Sequence, residues 1–289
     1  MQEGLGMTAG FLDDRRAVLR IEGADARDWL QGLVTNDMRR LAPGAALYAA
    51  LLTPQGKYLF DFIVVEGSDG AIWLDVAADR AAALAQRLAM YRLRRAVTIA
   101  PTALRVALAS GPRPETGALV VADPRDARLG WRLYGSDPAA GLTPAARAEY
   151  DALRVRLAVP DSGVELVPDD SYILEAGFDR LNGVDFRKGC YVGQEVTARM
   201  RHKTELRKGL VRVRVQGEAP PGTPVRTLDG RPAGTLFTVA GGHGLAHLRF
   251  DRMDGPLTAG SATVTADDQP AAADPAPASA ASTAASPSR

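Results

Sequence analysis

Hydrophobic and polar positions alternate most plainly in the last quarter of the chain. In GLVRVRV, Gly209 to Val215, apolar Leu210, Val211, Val213 and Val215 are set against Arg212 and Arg214, the period of a strand with one wet face. Short segments of the same kind follow between Gly- and Pro-rich turns: PPGTPV, LDGRPAGTLFTV, GLAHLRF and SATVTA. That punctuation predicts a small antiparallel barrel or sandwich over residues 206–266. Residues 267–289 are almost wholly Ala, Pro, Ser, Thr and Asp. They have too little apolar surface to offset the entropy of ordering, which predicts a disordered tail.

The first two hundred residues mix the two periods. Strands are predicted at Ala17–Ile21, Leu47–Leu52, Tyr58–Val65, Ile72–Val76, Val97–Ala100, Leu104–Leu108, Leu119–Val121 and Gly130–Tyr134. Asp25 is expected to cap a short helix carrying Trp29, Leu30 and Leu33, ahead of a turn at Asn36-Asp37. Asp79 opens a helix whose Leu84, Leu88 and Tyr91 share one face, among Arg87, Arg92, Arg94 and Arg95. Thr143-Pro144 reads as a helix start, running through Leu153 and Leu157 to a stop at Pro160. The class is α+β, with antiparallel strand runs rather than βαβ alternation.

Composition narrows the chemistry. The 289 residues are 46% hydrophobic and 24% charged, enough for one large core or two to three small ones. Lys and Arg number 35 against 34 Asp and Glu, so no global field recruits nucleic acid or an anionic membrane, and neither is expected as a partner. No segment offers about 18 consecutive apolar residues, and the N-terminus has no basic stretch followed by an apolar core. A cytoplasmic protein with a reduced thiol is therefore expected. One cysteine excludes an intrachain disulfide or a metal centre built from cysteines of one chain, so no metal site is assigned.

That cysteine sits in DFRKGCYVGQEVTARMRHK. Gly189 and Gly193 bracket Cys190-Tyr191-Val192 and permit positive φ. A helix is predicted from near Gly193, with Glu195 in its first turn and Arg199 one turn on, so that Cys190 precedes a helix N-terminus beside Arg187 and Lys188. Both influences favour thiolate. A Cys-His enzyme would need His202, His243 or His247 as its base. The basic run Arg199 to Lys208 lacks interleaved aromatics and reads as a solvated face.

Lys188-Gly189-Cys190-Tyr191-Val192-Gly193-Gln194-Glu195 resembles the K-G-C-[FY]-x-G-Q-E signature of the YgfZ family, folate-binding proteins of iron–sulfur protein maturation related to mitochondrial Iba- and Caf-type factors. Residues 29–65, YDALRVRLAVPDSGVEL, LEAGFDRLNGVDFRKG and the stretch from Arg207 are similar to the same superfamily, whose enzymatic relative is the aminomethyltransferase of the glycine cleavage system. The resemblance covers roughly residues 8–266. It implies a three-domain ring of the aminomethyltransferase (GcvT-like) type, with two interleaved subdomains in residues 1–205 and a C-terminal barrel. It also implies tetrahydrofolate or a derivative as cofactor, and iron–sulfur client enzymes or cluster carriers as partners, with support of tRNA modification. Oligomeric state stays open.

On this resemblance Asn36, Asp37, Asp61, Tyr191, Gln194, Glu195 and Arg199 are expected to line the folate site, with Glu195 or Asp61 accepting from the pterin, Tyr191 stacking on it and Arg199 holding the tail. Cys190 is the reactive or metal-facing thiol, Lys188 its electrostatic support, and Gly189 and Gly193 enable the backbone. Asn36-Asp37 reads equally well as a turn, and Glu195–Arg199 as a surface ion pair. Two departures matter. The aminomethyltransferases carry an acidic pair where this chain has Phe60-Asp61, and a carboxylate where it has Cys190. Folate-dependent one-carbon transfer and a scaffold with vestigial folate stand as alternatives to a maturation factor.

Overall fold

The computed structural model describes residues 8–203 and 205–267; the predicted tail lies outside them except for Asp267. Three β units organise the molecule. The central sheet has the order β3-β4-β5-β2-β6, from β2 (Arg16–Glu22), β3 (Ala46–Leu52), β4 (Tyr58–Glu66), β5 (Ile72–Ala77) and β6 (Thr98–Pro101). Nearly every residue of β3, β4 and β5 is buried, because both faces of the sheet are covered. One face carries Leu51, Phe62, Val64 and Leu74 against α1 (Ala26–Gln31) and α2 (Ala81–Arg92), through Trp29, Leu30, Leu84 and Leu88.

The other face meets a second sheet, β10-β1-β7-β9-β8, made of β1 (Ala9–Leu12), β7 (Arg105–Ser110), β8 (Leu119–Ala122), β9 (Trp131–Gly135) and β10 (Thr143–Pro144). Its first strand precedes the central sheet in the chain and its others follow, so the two sheets interleave along the sequence. Between them the apolar core of Val18, Ile63, Val106, Leu108 and Val121 surrounds a charged chain. Asp75 of β5 accepts from Arg16 of β2 at 2.6 Å, from Arg132 of β9 at 2.6 Å and from Tyr134 at 2.9 Å. Arg132 also reaches Asp123 at 2.9 Å, and Asp123 is gripped by Arg125.

Two local expectations are corrected. Thr143-Pro144 starts no helix: Ala9 and Gly10 pair with it in parallel, and the helix, α3 (Arg147–Arg156), begins three residues later behind Ala146. The edge of the second sheet outweighs the capping signal, and β1 was too short and too weakly patterned to be foreseen. Asp25 precedes α1, yet its carboxylate accepts from the Ala96 amide at 2.8 Å instead of capping the helix.

The C-terminal strands close into a six-stranded barrel, β11-β14-β13-β12-β15-β16: β11 (Lys208–Gln216), β12 (Thr223–Thr227), β13 (Pro232–Ala240), β14 (His243–Arg249), β15 (Leu257–Ala259) and β16 (Ala262–Ala266). Pairing of β16 with β11 removes the free edges. Buried Arg154 of α3 joins the barrel to the rest, bonding Glu165 at 3.1 Å and Thr238 of β13 at 2.7 Å.

Candidate functional site

The segment from Val159 to Tyr191 crosses the molecule in turns, and three fastenings bring its end to the surface. Upstream, Thr35 donates its hydroxyl to Gly183 O at 2.6 Å, and the Asn36 amide bonds Asn182 O at 2.7 Å and Tyr48 O at 2.8 Å. Asn36 therefore ties the approach segment to β3. Asp37 accepts from the Arg39 amide and guanidinium, and the guanidinium beside it holds its carboxyl down to about 2.

The second fastening is Lys188. Its ammonium is buried and donates to the carbonyls of Gln31, at 2.7 Å, and Val34, where α1 ends and the helix dipole is negative. Gln31 returns a bond to Lys188 O at 3.1 Å. Lys188 thus anchors the loop; its charge is engaged at α1, which corrects its expected role as support for the thiol. Burial pulls its pKa down to about 8, against the attraction of Asp37 and Asp185. Between that value and the ordinary lysine range near ~10.4, the unfolded chain binds the proton that the folded one has lost. Raising the pH from about 8 to about 10 is expected to stabilise the protein relative to Lys188→Met, measured by urea unfolding across that range.

Third, Tyr191 turns inward and Gly193 lies against the turn between β3 and β4. Tyr191 is 8% exposed, and burial raises its hydroxyl to about 12. It packs in the core with Lys188 above its ring at 5.1 Å, so it offers no stacking surface to a ligand. Gly193 has φ +82°, and a Cβ there would meet Thr53 O at 2.5 Å. Gly193→Ala is expected to cost about 1–3 kcal/mol, from backbone strain and loss of that approach, read as a lowered urea midpoint.

What remains outside is Cys190. It is exposed, with Gly189, at φ +93°, and Arg187 exposed beside it in the chain. Helix α4 (Gln194–Lys203) begins four residues later, as expected, and the Gln194 side chain accepts from the Tyr191 amide at 3.1 Å. Phe186 is 38% exposed and lies under Arg201 at 5.4 Å. No histidine bonds Cys190 among the described residues: His247 meets Glu175 at 3.3 Å, and His243 faces Asp267 at 3.6 Å. No cluster of three or more His, Cys, Asp or Glu side chains is placed to hold a metal among them either.

The residues expected to hold folate do not converge. Glu195 has its side chain 84% exposed and pairs with Arg199 at 2.9 Å, an i,i+4 ion pair on the outer face of α4. Asp61 is buried in the interior, where it accepts from Tyr58 at 2.7 Å, Tyr48 at 3.1 Å and Ser162 at 2.5 Å. Beyond Ser162 opens a cavity of about 360 Å³ walled by Asp13, Arg15, Arg16, Asp79, Arg147 and Asp161. Ala77, Ala78 and Val164 complete its wall, but no aromatic side chain lines it, so it offers a pterin no ring to stack on. The fastening residues Gln31, Thr35, Tyr48, Tyr58 and Ser162 escaped sequence reasoning because their partners lie far away in the chain and leave no local pattern.

Two family descriptions match the chain: the GCVT N-terminal domain over residues 14–116, and the CAF17 C-terminal beta-barrel domain over residues 207–273. Among solved structures, the glycine cleavage system aminomethyltransferase T from Bartonella henselae superposes with a TM-score of 0.75 and 14% identity, over 92% of this chain and 87% of that one. The fold is thus GcvT-like, with a closed antiparallel barrel at its C-terminal end. The human mitochondrial iron–sulfur cluster assembly factor IBA57 is 36% identical, over 86% of this chain and 80% of its own. Its mouse counterpart is 35% identical, over 88% and 81%. The expectation of a cytoplasmic protein is overturned here, because both of these relatives are mitochondrial.

Proposed function

The chain belongs to the IBA57 family of iron–sulfur cluster assembly factors, and we propose that it works in cluster assembly by presenting the sulfur of Cys190 as a ligand to a cluster borne by a partner protein. The observation that carries this reading is a lone exposed thiol on a loop fastened from both sides. With no further metal-binding cluster among the described residues, the chain supplies one ligand and the carrier supplies the others. Bonds from Asn36, Lys188 and Gln194 hold the loop before the partner arrives, so less ordering entropy is lost on docking. The closer resemblance to the YgfZ branch rests on the KGCYVGQE motif alone, and support of tRNA-modifying clients would follow from it.

Tetrahydrofolate is left out of the mechanism, since Glu195 and Arg199 neutralise each other at the surface and three hydroxyls already occupy Asp61. One-carbon transfer is disfavoured on the same ground, with Phe60 standing where the aminomethyltransferases have a second acid. The test is to mix the purified chain with a cluster-loaded carrier under anaerobic, reducing conditions and follow visible circular dichroism during gel filtration. A complex that keeps the cluster is expected. A cluster that stays on the carrier with an unchanged spectrum and no co-elution would overturn the reading.

A further inference from the structure

The surface beside the thiol is more positive than its ion pairs suggest. Four cations, Arg39, Arg40, Arg187 and Lys188, meet two acids, Asp37 and Asp185, where the one-turn helix Met38–Arg40 lies against the loop 185–190, which leaves a surplus of two positive charges. Arg39 forks onto Asp37, with Nε and Nη2 each donating at 2.9 Å, and reaches Lys188 O at 3.5 Å. Arg40 meets Asp185 at 3.3 Å. Asp37 and Asp185 both attract the Lys188 ammonium, so these groups form one electrostatic cluster. The Arg187 amide donates to Asp185 at 2.7 Å, but its guanidinium is exposed and makes no hydrogen bond or ion pair among the described residues.

The pairs are polarised, and this decides what a partner meets. The side chains of Arg39 and Arg40 are both 65% exposed, against 13% for Asp37 and 16% for Asp185. The carboxylates thus lie inward, while Nη1 of Arg39 and Nε and Nη2 of Arg40 make no hydrogen bond among the described residues. The exposed pairs that α4 makes, Glu195–Arg199 and Asp179–Arg201, add no net charge. Phe186, between Asp185 and Arg187, adds an exposed apolar edge. Arg201 covers one face of its ring, which prevents sandwiching between nucleic-acid bases and suits contact with an apolar side chain. A second copy docked on this face about a twofold axis would set guanidinium against guanidinium. The chain's own residues 268–289 hold two acids and no large apolar side chain to cover Phe186. A cluster carrier complements the face, because an iron–sulfur centre held by thiolates is an anion and carboxylates around it would meet outward arginines.

We infer that Arg39, Arg40 and Arg187 form the rim that selects the cluster-carrying partner: the rim receives carboxylates set around the partner's cluster, Phe186 takes an apolar side chain beside them, and the docked cluster faces Cys190. The inference rests on the reading of Cys190 given above, and the test separates the two. Phe186→p-benzoylphenylalanine is placed in the full chain and irradiated in cells that depend on it, and the crosslinked peptides are sequenced. The expected product is an acidic segment containing an apolar residue, from a protein that carries an iron–sulfur cluster. Its yield should fall about tenfold with R187E, whose side chain leaves no partner behind, fall likewise with R39Q/R40Q, and recover when the contacted acid is changed to Arg in the R187E background. A neutral or basic segment, a second copy of this chain, a nucleic acid, a protein without a cluster, or no product overturns the inference. A carrier captured in equal yield with both rim variants, whose cluster spectrum still shifts on mixing, overturns the rim alone and leaves the thiol reading standing. A crosslink that keeps its dependence on charge while the cluster spectrum stays unmoved supports the rim and removes the thiol.

Discussion

Asp75→Ala is expected to lower the unfolding free energy by about 3–5 kcal/mol, because it takes the shared carboxylate from two buried guanidinium groups at once, leaving Arg132 only Asp123 and Arg16 only the backbone carbonyl of residue 75. Arg16 and Arg132 come from different sheets, and their side chains are 10% and 3% exposed, so water compensates neither when the carboxylate goes. Tyr134 loses its acceptor as well. Burial pushes the Asp75 carboxyl up, but Arg16 and Arg132 outweigh it and hold its pKa below the usual carboxylate value. The stabilisation is therefore complete above the unfolded value near ~3.9 and is lost as the pH falls through the lower folded value. Urea unfolding at pH 7 checks the magnitude, and the gap between wild type and Asp75→Ala should close only under strong acid. An unfolding free energy within about 1 kcal/mol of wild type would mean that the two sheets are held together by their apolar contacts.

Cys190→Ser is expected to do the opposite, abolishing function without touching the fold. The thiol is exposed and makes no hydrogen bond or ion pair among the described residues, so its loss should change stability by less than about 0.5 kcal/mol. A serine hydroxyl is a far poorer ligand for iron than a thiolate, because it stays protonated at neutral pH and is a harder donor. In cells lacking this chain, iron–sulfur enzyme activity should return with the wild type and stay at least about tenfold lower with Cys190→Ser, at equal protein level. Full restoration by Cys190→Ser would remove the thiol from the mechanism and leave a docking scaffold.

Much of the fold could be read along the chain, and much of the site could not. Alternation in β11 and the evenly spaced turns beyond it announced a small antiparallel barrel or sandwich, and the apolar runs of β3, β4 and β5 announced strands. These signals are local, since side chains two apart share a strand face wherever the strand lies. The motif was equally legible: its glycines at positive φ, the helix that follows and the single thiol all follow from neighbouring residues.

Roles that depend on distant partners were not legible. Lys188 reads as a cation beside a thiol until α1 turns out to end against it, 154 residues earlier in the chain. Glu195, Tyr191 and Asp61 look alike as folate contacts in sequence, yet one is solvated, one is core and one is enclosed by hydroxyls. By itself the sequence determined most of the secondary structure, the run of short C-terminal strands and the motif, because each is written at spacings of two to four residues. Only the tertiary structure decided which polar groups face water and which are spent inside, because burial and hydrogen bonding are settled by whichever segments pack together.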